Sequence, residues 1–236
     1  MNEKYPIRIN RYLALNNYAT RTGADELIKK GLVTINGHKA VLGDKVEEND
    51  DVKVTKSGDE KEYVYYAYNK PIGITTNPDE KGTKDIISTT KFPVRVFPIG
   101  RLDKDSHGLI IMTNDGRITD RLLSPKYIHE KEYVIKLTKP FTDNFLNNMQ
   151  NGVRFDGYIS KKCEAWRIKA DTFHIILTEG KKRQIRRMCE ALHHDVADLK
   201  RIRIGNIQLG TAVKEKEYRE IKGQELKDFL TSIKII

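Results

Sequence analysis

Residues 98–111 read Pro-Ile-Gly-Arg-Leu-Asp-Lys-Asp-Ser-His-Gly-Leu-Ile-Ile. The stretch is the end of one strand, a short polar loop and the start of another strand. Residues 93–100 form a strand candidate that runs to Gly100; Leu109 to Met112 form the next, closed by Asn114-Asp115-Gly116. The loop between them carries two acids, Asp103 and Asp105. Asp103, between Leu102 and the apolar run at Leu109, is expected to be partly shielded from water. Shielding favours the neutral form of an acid, whereas a nucleophile or base must be ionised, so that reading requires a nearby cation. Arg101 is one candidate and Arg186 the other. Asp105, with Ser106 and Gly108 after it, reads more easily as a turn former.

The same kind of alternation extends to both sides. Tyr63 to Tyr68 reads as a strand running into Asn69-Lys70-Pro71-Ile72-Gly73. Residues 117–124 are helical and stop before Pro125. Residues 131–137 (Lys-Glu-Tyr-Val-Ile-Lys-Leu) and 172–178 (Thr-Phe-His-Ile-Ile-Leu-Thr) alternate as strands. Many strands with few long helices predict an α+β domain built on a mixed, mostly antiparallel sheet. The tyrosines of 63–68 read as sheet packing ahead of base-stacking platforms. Tyr133 is open to two readings, simple packing or a phenol that stacks on a base and moves a proton.

Residues 179–192 hold a dense run of positive charge. Gly180 ends a strand, then Lys181, Lys182, Arg183, Arg186 and Arg187 crowd into seven positions. A helix begins near Gln184, with Ile185, Met188, Cys189 and Leu192 on one stripe. At about 100° per residue Arg186 falls on the border of that stripe and Arg187 points roughly away from it. Arg186 can therefore reach inward along the core edge. Arg187, Lys181, Lys182 and Arg183 are placed to face phosphates.

The first ~55 residues form a separate pattern. Ile9, Tyr12 and Leu13 recur at helical spacing. A second helix carries Ala24, Leu27 and Ile28, with Thr22-x-x-Asp25 as its expected capping box and Gly31 at its stop. Val33 and Ile35 alternate up to an Asn36-Gly37 turn, and Val52 and Val54 alternate later. Lys56-Ser-Gly-Asp-Glu-Lys61 reads as a linker, giving domains 1–58 and 62–236.

The chain of 236 residues has a formal net charge of +10, and 38% of it is hydrophobic. It can bury a real core, and its charge suits a polyanionic partner. The two cysteines, Cys163 and Cys189, exclude a disulfide framework, and Cys189 reads as a small core residue. His193 and His194 belong to no metal-ligand spacing, so no metal is expected. There is no apolar run of membrane-spanning length and no signal-peptide core, so a cytoplasmic protein without a membrane partner is expected.

Two resemblances sharpen this reading. Arg8-Ile9-Asn10-x-Tyr12-Leu13 followed by Arg21-Thr22-x-Ala24-x-x-Leu27-Ile28-x-x-Gly31-x-Val33-x-Ile35-Asn36-Gly37 resembles the α-L RNA-binding motif first known from a small-subunit ribosomal protein. It implies a small N-terminal RNA-binding domain in which Arg8, Arg11, Arg21, Thr22, Lys29, Lys30 and Lys39 face RNA. Lys70-Pro71-x-Gly73, Gly100-Arg101-Leu102-Asp103-x-Asp105-Ser106-x-Gly108-Leu109, Lys131-Glu132-Tyr133 and Glu179-Gly180-x-x-x-Gln184-Ile185-Arg186-Arg187-Met188 resemble the pseudouridine synthases of the RsuA/RluB/RluF type. The variant around Asp103, with Gln184-Ile-Arg-Arg-Met-Cys-Glu190, is most similar to the RluF branch.

This second resemblance implies a pseudouridine synthase catalytic domain that isomerises uridine in structured RNA without metal or organic cofactor. It further implies Asp103 as the catalytic aspartate, Tyr133 packed on the uracil and assisting proton removal, and Arg186 paired with Asp103. Arg101 would hold the flipped nucleotide or fill its place. The expected substrate is large-subunit (23S) ribosomal RNA, and the expected state is a monomer. Two alternatives stand beside it: the same chemistry on small-subunit ribosomal RNA or tRNA, and a non-catalytic RNA-binding or ribosome-assembly factor. A glycosidase is a poor fit, since no second carboxylate has an acid role.

Overall fold

The computed structural model describes residues 5–16, 18–55, 62–77, 83–124 and 127–236. The expected linker, Lys56 to Lys61, lies outside them. The chain divides into two compact units, one of residues up to Tyr63 with Asp115–Asp120, the other of Val64–Asn114 with Arg121–Lys234.

The first unit runs β1 (Ile7–Arg8), α1 (Ile9–Leu15), α2 (Arg21–Lys29), β2 (Val33–Ile35), β3 (His38–Lys39), β4 (Lys45–Val46) and β5 (Val52–Val54). Its core is Ile9, Leu13, Ala24, Ile28, Val33, Ala40, Val46 and Val52; the helical and strand periodicities select all of these but Ala40 and Val46, and also select Tyr12, Leu27, Ile35 and Val54, which pack partly buried against the core. Asn36 and Gly37 both have positive φ, 51° and 83°, which matches the twist of the hairpin they close. The end of α2 is a Schellman arrangement: Gly31 N–H donates to Ile28 O and Leu32 N–H to Leu27 O. The start of α2 differs from expectation. Thr20 is the N-cap and accepts from Gly23 N at 2.9 Å, so Thr22 sits inside the first turn. Asp25 is engaged elsewhere, accepting from Asn10 Nδ2 at 3.0 Å, which ties α1 to α2.

The rest of the chain supplies β6 (Tyr65–Lys70), α3 (Ile86–Thr89), β7 (Phe97–Ile99), β8 (His107–Thr113), α4 (Ile118–Leu123), β9 (Lys131–Leu137) and α5 (Asp143–Asn151). There follow β10 (Arg154–Phe155), β11 (Tyr158–Ile159), β12 (Glu164–Lys169), β13 (Thr172–Leu177), α6 (Gln184–Ala191), β14 (Val196–Ile204), β15 (Ile207–Gln208), β16 (Tyr218–Glu220) and α7 (Gly223–Ser232). A nine-stranded sheet runs β12-β13-β9-β14-β8-β6-β16, with β15 paired to β14 and β7 to β8. β14 and β8 are parallel, and every other pairing in this sheet is antiparallel. The fold is α+β on a mixed, mostly antiparallel sheet.

Two cores share this sheet. Helices α5 and α6 lay Phe145, Met149, Ile185, Met188 and Cys189 over Ile135, Leu137, Phe173, Ile175, Leu177 and Leu199. Cys189 is a core residue, and burial pushes its thiol up to about 12. The second core gathers Tyr66, Tyr68, Ile74, Ile86, Val96, Leu102, Ile110 and Met112. Tyr133 packs partly buried against both, at the join between them.

Two strand boundaries depart from the sequence reading. β6 starts two residues later than expected and continues through Asn69 and Lys70, all six residues buried. Hydrogen bonds hold these polar side chains in a buried strand: Asn69 Nδ2 donates to Val213 O at 2.8 Å, while its Oδ1 has no partner among the described residues, and Lys70 Nζ meets three carbonyls. The candidate strand 93–100 shrinks to Phe97–Ile99. Pro93 and Pro98 remove backbone donors, and β7 pairs on one side with β8.

Candidate active site

β8 and β14 lie close enough that Gly108 is required between them. Gly108 has φ +103°, and a Cβ there would stand 2.2 Å from Arg201 O. This contact fixes the exit of the loop that precedes β8. Four carbonyls of that loop and two beside it are held by the hydrogen bonds that follow. Buried Lys70 donates to Pro71 O at 2.9 Å, Asp103 O at 3.1 Å and Ser106 O at 2.7 Å. Thr76 Oγ1 exchanges hydrogen bonds with both Leu102 N and Leu102 O. Gly73 N–H donates to Lys104 O, and Arg201 Nε to Leu109 O at 2.7 Å. A loop so fully satisfied presents its side chains in one geometry.

Lys70 is wholly buried. Burial pushes its ammonium down to about 8, against the upward pull of the Asp103 and Asp105 carboxylates. The cation beneath the loop is thus tied to the acids above it. Its Lys-Pro motif was visible in the sequence, but not its role as a clamp.

The two acids of the loop have different surroundings. Asp105 receives a bidentate Arg183, Nη1 to Oδ1 at 3.0 Å and Nη2 to Oδ2 at 2.9 Å, and Arg186 Nε stands 3.2 Å from Oδ2. Partial burial works to raise the Asp105 carboxyl, but the Arg183 hydrogen bonds and the two guanidinium charges win and hold it below the usual range. The half-buried Asp103 carboxylate has no hydrogen bond or ion pair among the described residues. It lines a cleft of about 770 Å³ together with Tyr133, Lys131, Arg186 and Arg201.

The expected pairing of Arg186 with Asp103 is therefore corrected: Arg186 holds Asp105. Its Nη2 donates to Asp105 O at 2.7 Å and its Nη1 to Val196 O at 3.2 Å. The guanidinium reaches inward from the border of the α6 stripe, as the helical angle implied, and meets the loop at Asp105.

The remaining candidates divide by location. Arg101, Lys181, Lys182 and Arg183 are exposed and line the cleft. Lys181 Nζ lies 4.8 Å from the centre of the Tyr158 ring. Arg187 pairs with Asp156 and stacks on Phe155. Arg8, Arg11, Arg21, Thr22, Lys29, Lys30 and Lys39 are all exposed on the first unit. Sequence reasoning assigned no role to Lys131 or Arg201. Arg201 is 3% exposed on a strand that was not recognised. Among the described residues no His, Cys, Asp and Glu cluster could hold a metal ion. No helix among them is long and apolar enough to cross a membrane.

Comparison with known proteins places this geometry. The family model described as RNA pseudouridylate synthase matches residues 64–191, and the S4 domain model matches residues 7–52. The dual-specificity RNA pseudouridine synthase RluF of Escherichia coli O6:H1 is 38% identical over 231 residues, spanning 96% of this chain and 79% of that protein. Ribosomal large subunit pseudouridine synthase B of Bacillus subtilis is 36% identical over 204 residues, spanning 82% of this chain and 84% of that one. A solved pseudouridylate synthase superposes with a TM-score of 0.70 at 26% identity, over 96% of this chain and 99% of that one. The chain belongs to the RNA pseudouridylate synthase family and carries an N-terminal S4 domain. Within the family it is an enzyme of the RluF/RsuA type, acting on RNA.

Proposed function

We propose that this enzyme isomerises a specific uridine in large-subunit ribosomal RNA, with Asp103 as the catalytic aspartate. The observation that carries the proposal is the contrast within one loop: Asp105 is saturated by arginines, while Asp103 opens on the cleft with its carboxylate unpaired. The target nucleotide leaves its stack, at a cost of a few kcal/mol, and enters the cleft base first. Tyr133, at the join of the two cores, packs on the uracil and assists removal of the carbon-5 proton. Arg186 acts through Asp105, keeping the loop in place, and Arg101 holds the flipped nucleotide or fills its place in the RNA. The exposed Lys181, Lys182 and Arg183 and the half-buried Arg187 take phosphates beside the cleft. Arg8, Arg11, Arg21, Thr22, Lys29, Lys30 and Lys39 take them on the N-terminal domain, which we set at 1–58, with the catalytic domain at 62–236.

The large-subunit substrate is supported by the name of the Bacillus subtilis relative. The RluF relative is called dual-specificity, which favours a second RNA target; the alternatives are the same chemistry on small-subunit ribosomal RNA or tRNA. We read the protein as a cytoplasmic monomer, in keeping with its two free thiols. The test is release of tritium from carbon-5-labelled uridine in ribosomal RNA and tRNA transcripts. Asp103→Asn is expected to abolish release while RNA affinity stays within about twofold. Substantial residual release removes Asp103 from the role assigned to it. A pseudouridine map of RNA from cells lacking the protein then identifies the target.

A further inference from the structure

Lys131 and Tyr133 point to the same face of β9, two residues and therefore about 7 Å apart. Arg201 on β14 stands in register with Tyr133, on the adjacent strand. All three line the cleft with Asp103. The two acids beside Lys131 in sequence, Glu130 and Glu132, are committed to Arg203, and Glu132 also to His174. Lys131 itself makes one long hydrogen bond, 3.5 Å to His129 O, and pairs with no carboxylate among the described residues. Burial and the neighbouring Arg201 charge push its ammonium down. Arg201 is buried, and its Nη2 has no acceptor among the described residues. Two cations thus line the cleft without an ion pair to any carboxylate among the described residues. Buried charge without a partner is costly, and it is worth most where negative charge develops during a reaction.

The exposure of the cleft cations indicates which negative charge this is. Arg101, Lys181, Lys182 and Arg183 are exposed and suit phosphates. Lys131 is half-buried and Arg201 buried, at the sheet. A flipped nucleotide places its base deepest and leaves its backbone outside. We propose that Lys131 is a catalytic residue that donates to a carbonyl oxygen of the uracil, and that Arg201 supplies the second positive charge beside it. This rests on the reading of Asp103 and Tyr133 as the reacting centre. When the bond from ribose carbon-1′ to nitrogen-1 breaks, its electron pair goes to the base and spreads over N1, O2 and O4. Lys131 and Arg201 stabilise that anion while the ring turns. Carbon-5 then bonds to carbon-1′, Tyr133 assists removal of the carbon-5 proton, and N1 takes up a proton in its place, so the step is an isomerisation that needs no co-reactant.

The experiment is single-turnover reaction by Lys131→Met and Lys131→Arg, on substrate RNA with uridine or 5-fluorouridine at the target, read by nuclease digestion and chromatography as loss of the starting nucleoside, because fluorine at carbon-5 leaves no proton to release after the new bond forms. Fluorine makes the departing base a weaker base, so it has less need of stabilisation. Lys131→Met should slow uridine conversion about a hundredfold with RNA affinity unchanged, and the defect should shrink at least about tenfold on 5-fluorouridine. Lys131→Arg should recover most of the rate. A loss of RNA affinity with the rate intact would make Lys131 a phosphate anchor and overturn the proposal. Equal defects on both substrates, or no recovery by arginine together with a lowered melting temperature, would make it a structural residue and overturn it too. An inactive wild-type protein would instead count against the substrate assignment, which keeps the two failures apart.

Discussion

Positive charge does different work in the two units. On the N-terminal S4 unit Arg8, Arg11, Arg21, Lys29, Lys30 and Lys39 are all exposed. Around the acid loop Lys70 and Arg201 are buried, and Lys131 and Arg186 are partly so. An exposed cation acts through the counterions it releases from RNA, and its neighbours can replace it. A buried cation is tied to particular carbonyls or carboxylates, so its loss is felt at one place and at full strength. The same residue types are therefore suited to affinity in one region and to geometry in the other.

The largest effect expected from breaking this contrast lies within the acid loop. Asp103→Asn should leave turnover below about a thousandth of wild type, whereas Asp105→Asn should cost about tenfold by loosening Arg183 and Arg186. Equal losses in the two variants would erase the distinction between them. Next comes Lys70→Met, which strips the donor from two carbonyls of the acid loop, Asp103 O and Ser106 O, and from Pro71 O, and should lower unfolding free energy by about 3 kcal/mol. The lowered pKa of Lys70 also sets a pH dependence. Between about 8 and its usual value near 10.5, the unfolded chain holds the proton that the folded chain has released. The contribution of Lys70 to stability therefore rises with pH across that window and is flat below it. Urea unfolding at pH 7.5 and 9.5 should show this rise in wild type and less of it in Lys70→Met.

Gly108→Ala is the next probe, since its Cβ meets backbone, which has little room to yield, at a φ that disfavours a side chain. A loss of about 2 kcal/mol is expected in the same unfolding measurement, with kcat falling as the loop shifts. The smallest effects belong to the exposed surface. Lys29→Ala with Lys30→Ala should weaken RNA binding evenly across sequences and reduce the slope of log affinity against log salt by about two, with stability unchanged. An unchanged slope would place the RNA on another face of the S4 unit.

Much of the scaffold was legible because periodicity reports burial directly. β13 alternates cleanly, β9 alternates over Ile135, Lys136 and Leu137, and α6 begins where Gln184 was expected. β14 was not legible. Its inward side carries Arg201 where an apolar residue would mark a strand, and its register shifts near Val196 and again after Arg201. α5 was missed for another reason. Its sequence, Asp-Asn-Phe-Leu-Asn-Asn-Met-Gln-Asn, holds four asparagines, poor helix formers. It is helical because Phe145 and Met149 are buried and Thr142 caps its first turn. The capping box at Thr22 failed by two residues, because Thr20 offers the same hydroxyl chemistry in the extended backbone that a cap needs.

The sequence by itself determined the class of fold, the positions of Asp103 and Tyr133 within it, and the basic stretches that suit RNA. Those properties reside in local order: alternation, turn residues and short motifs. Only the tertiary structure decided the partners. Asp105, not Asp103, takes Arg186; Lys70 clamps the loop from beneath; Arg201 arrives from a strand ninety-eight positions after Asp103 in the numbering. Which charge meets which depends on where the sheet brings distant strands together. Coulomb energy falls with distance in space and takes no account of separation along the chain.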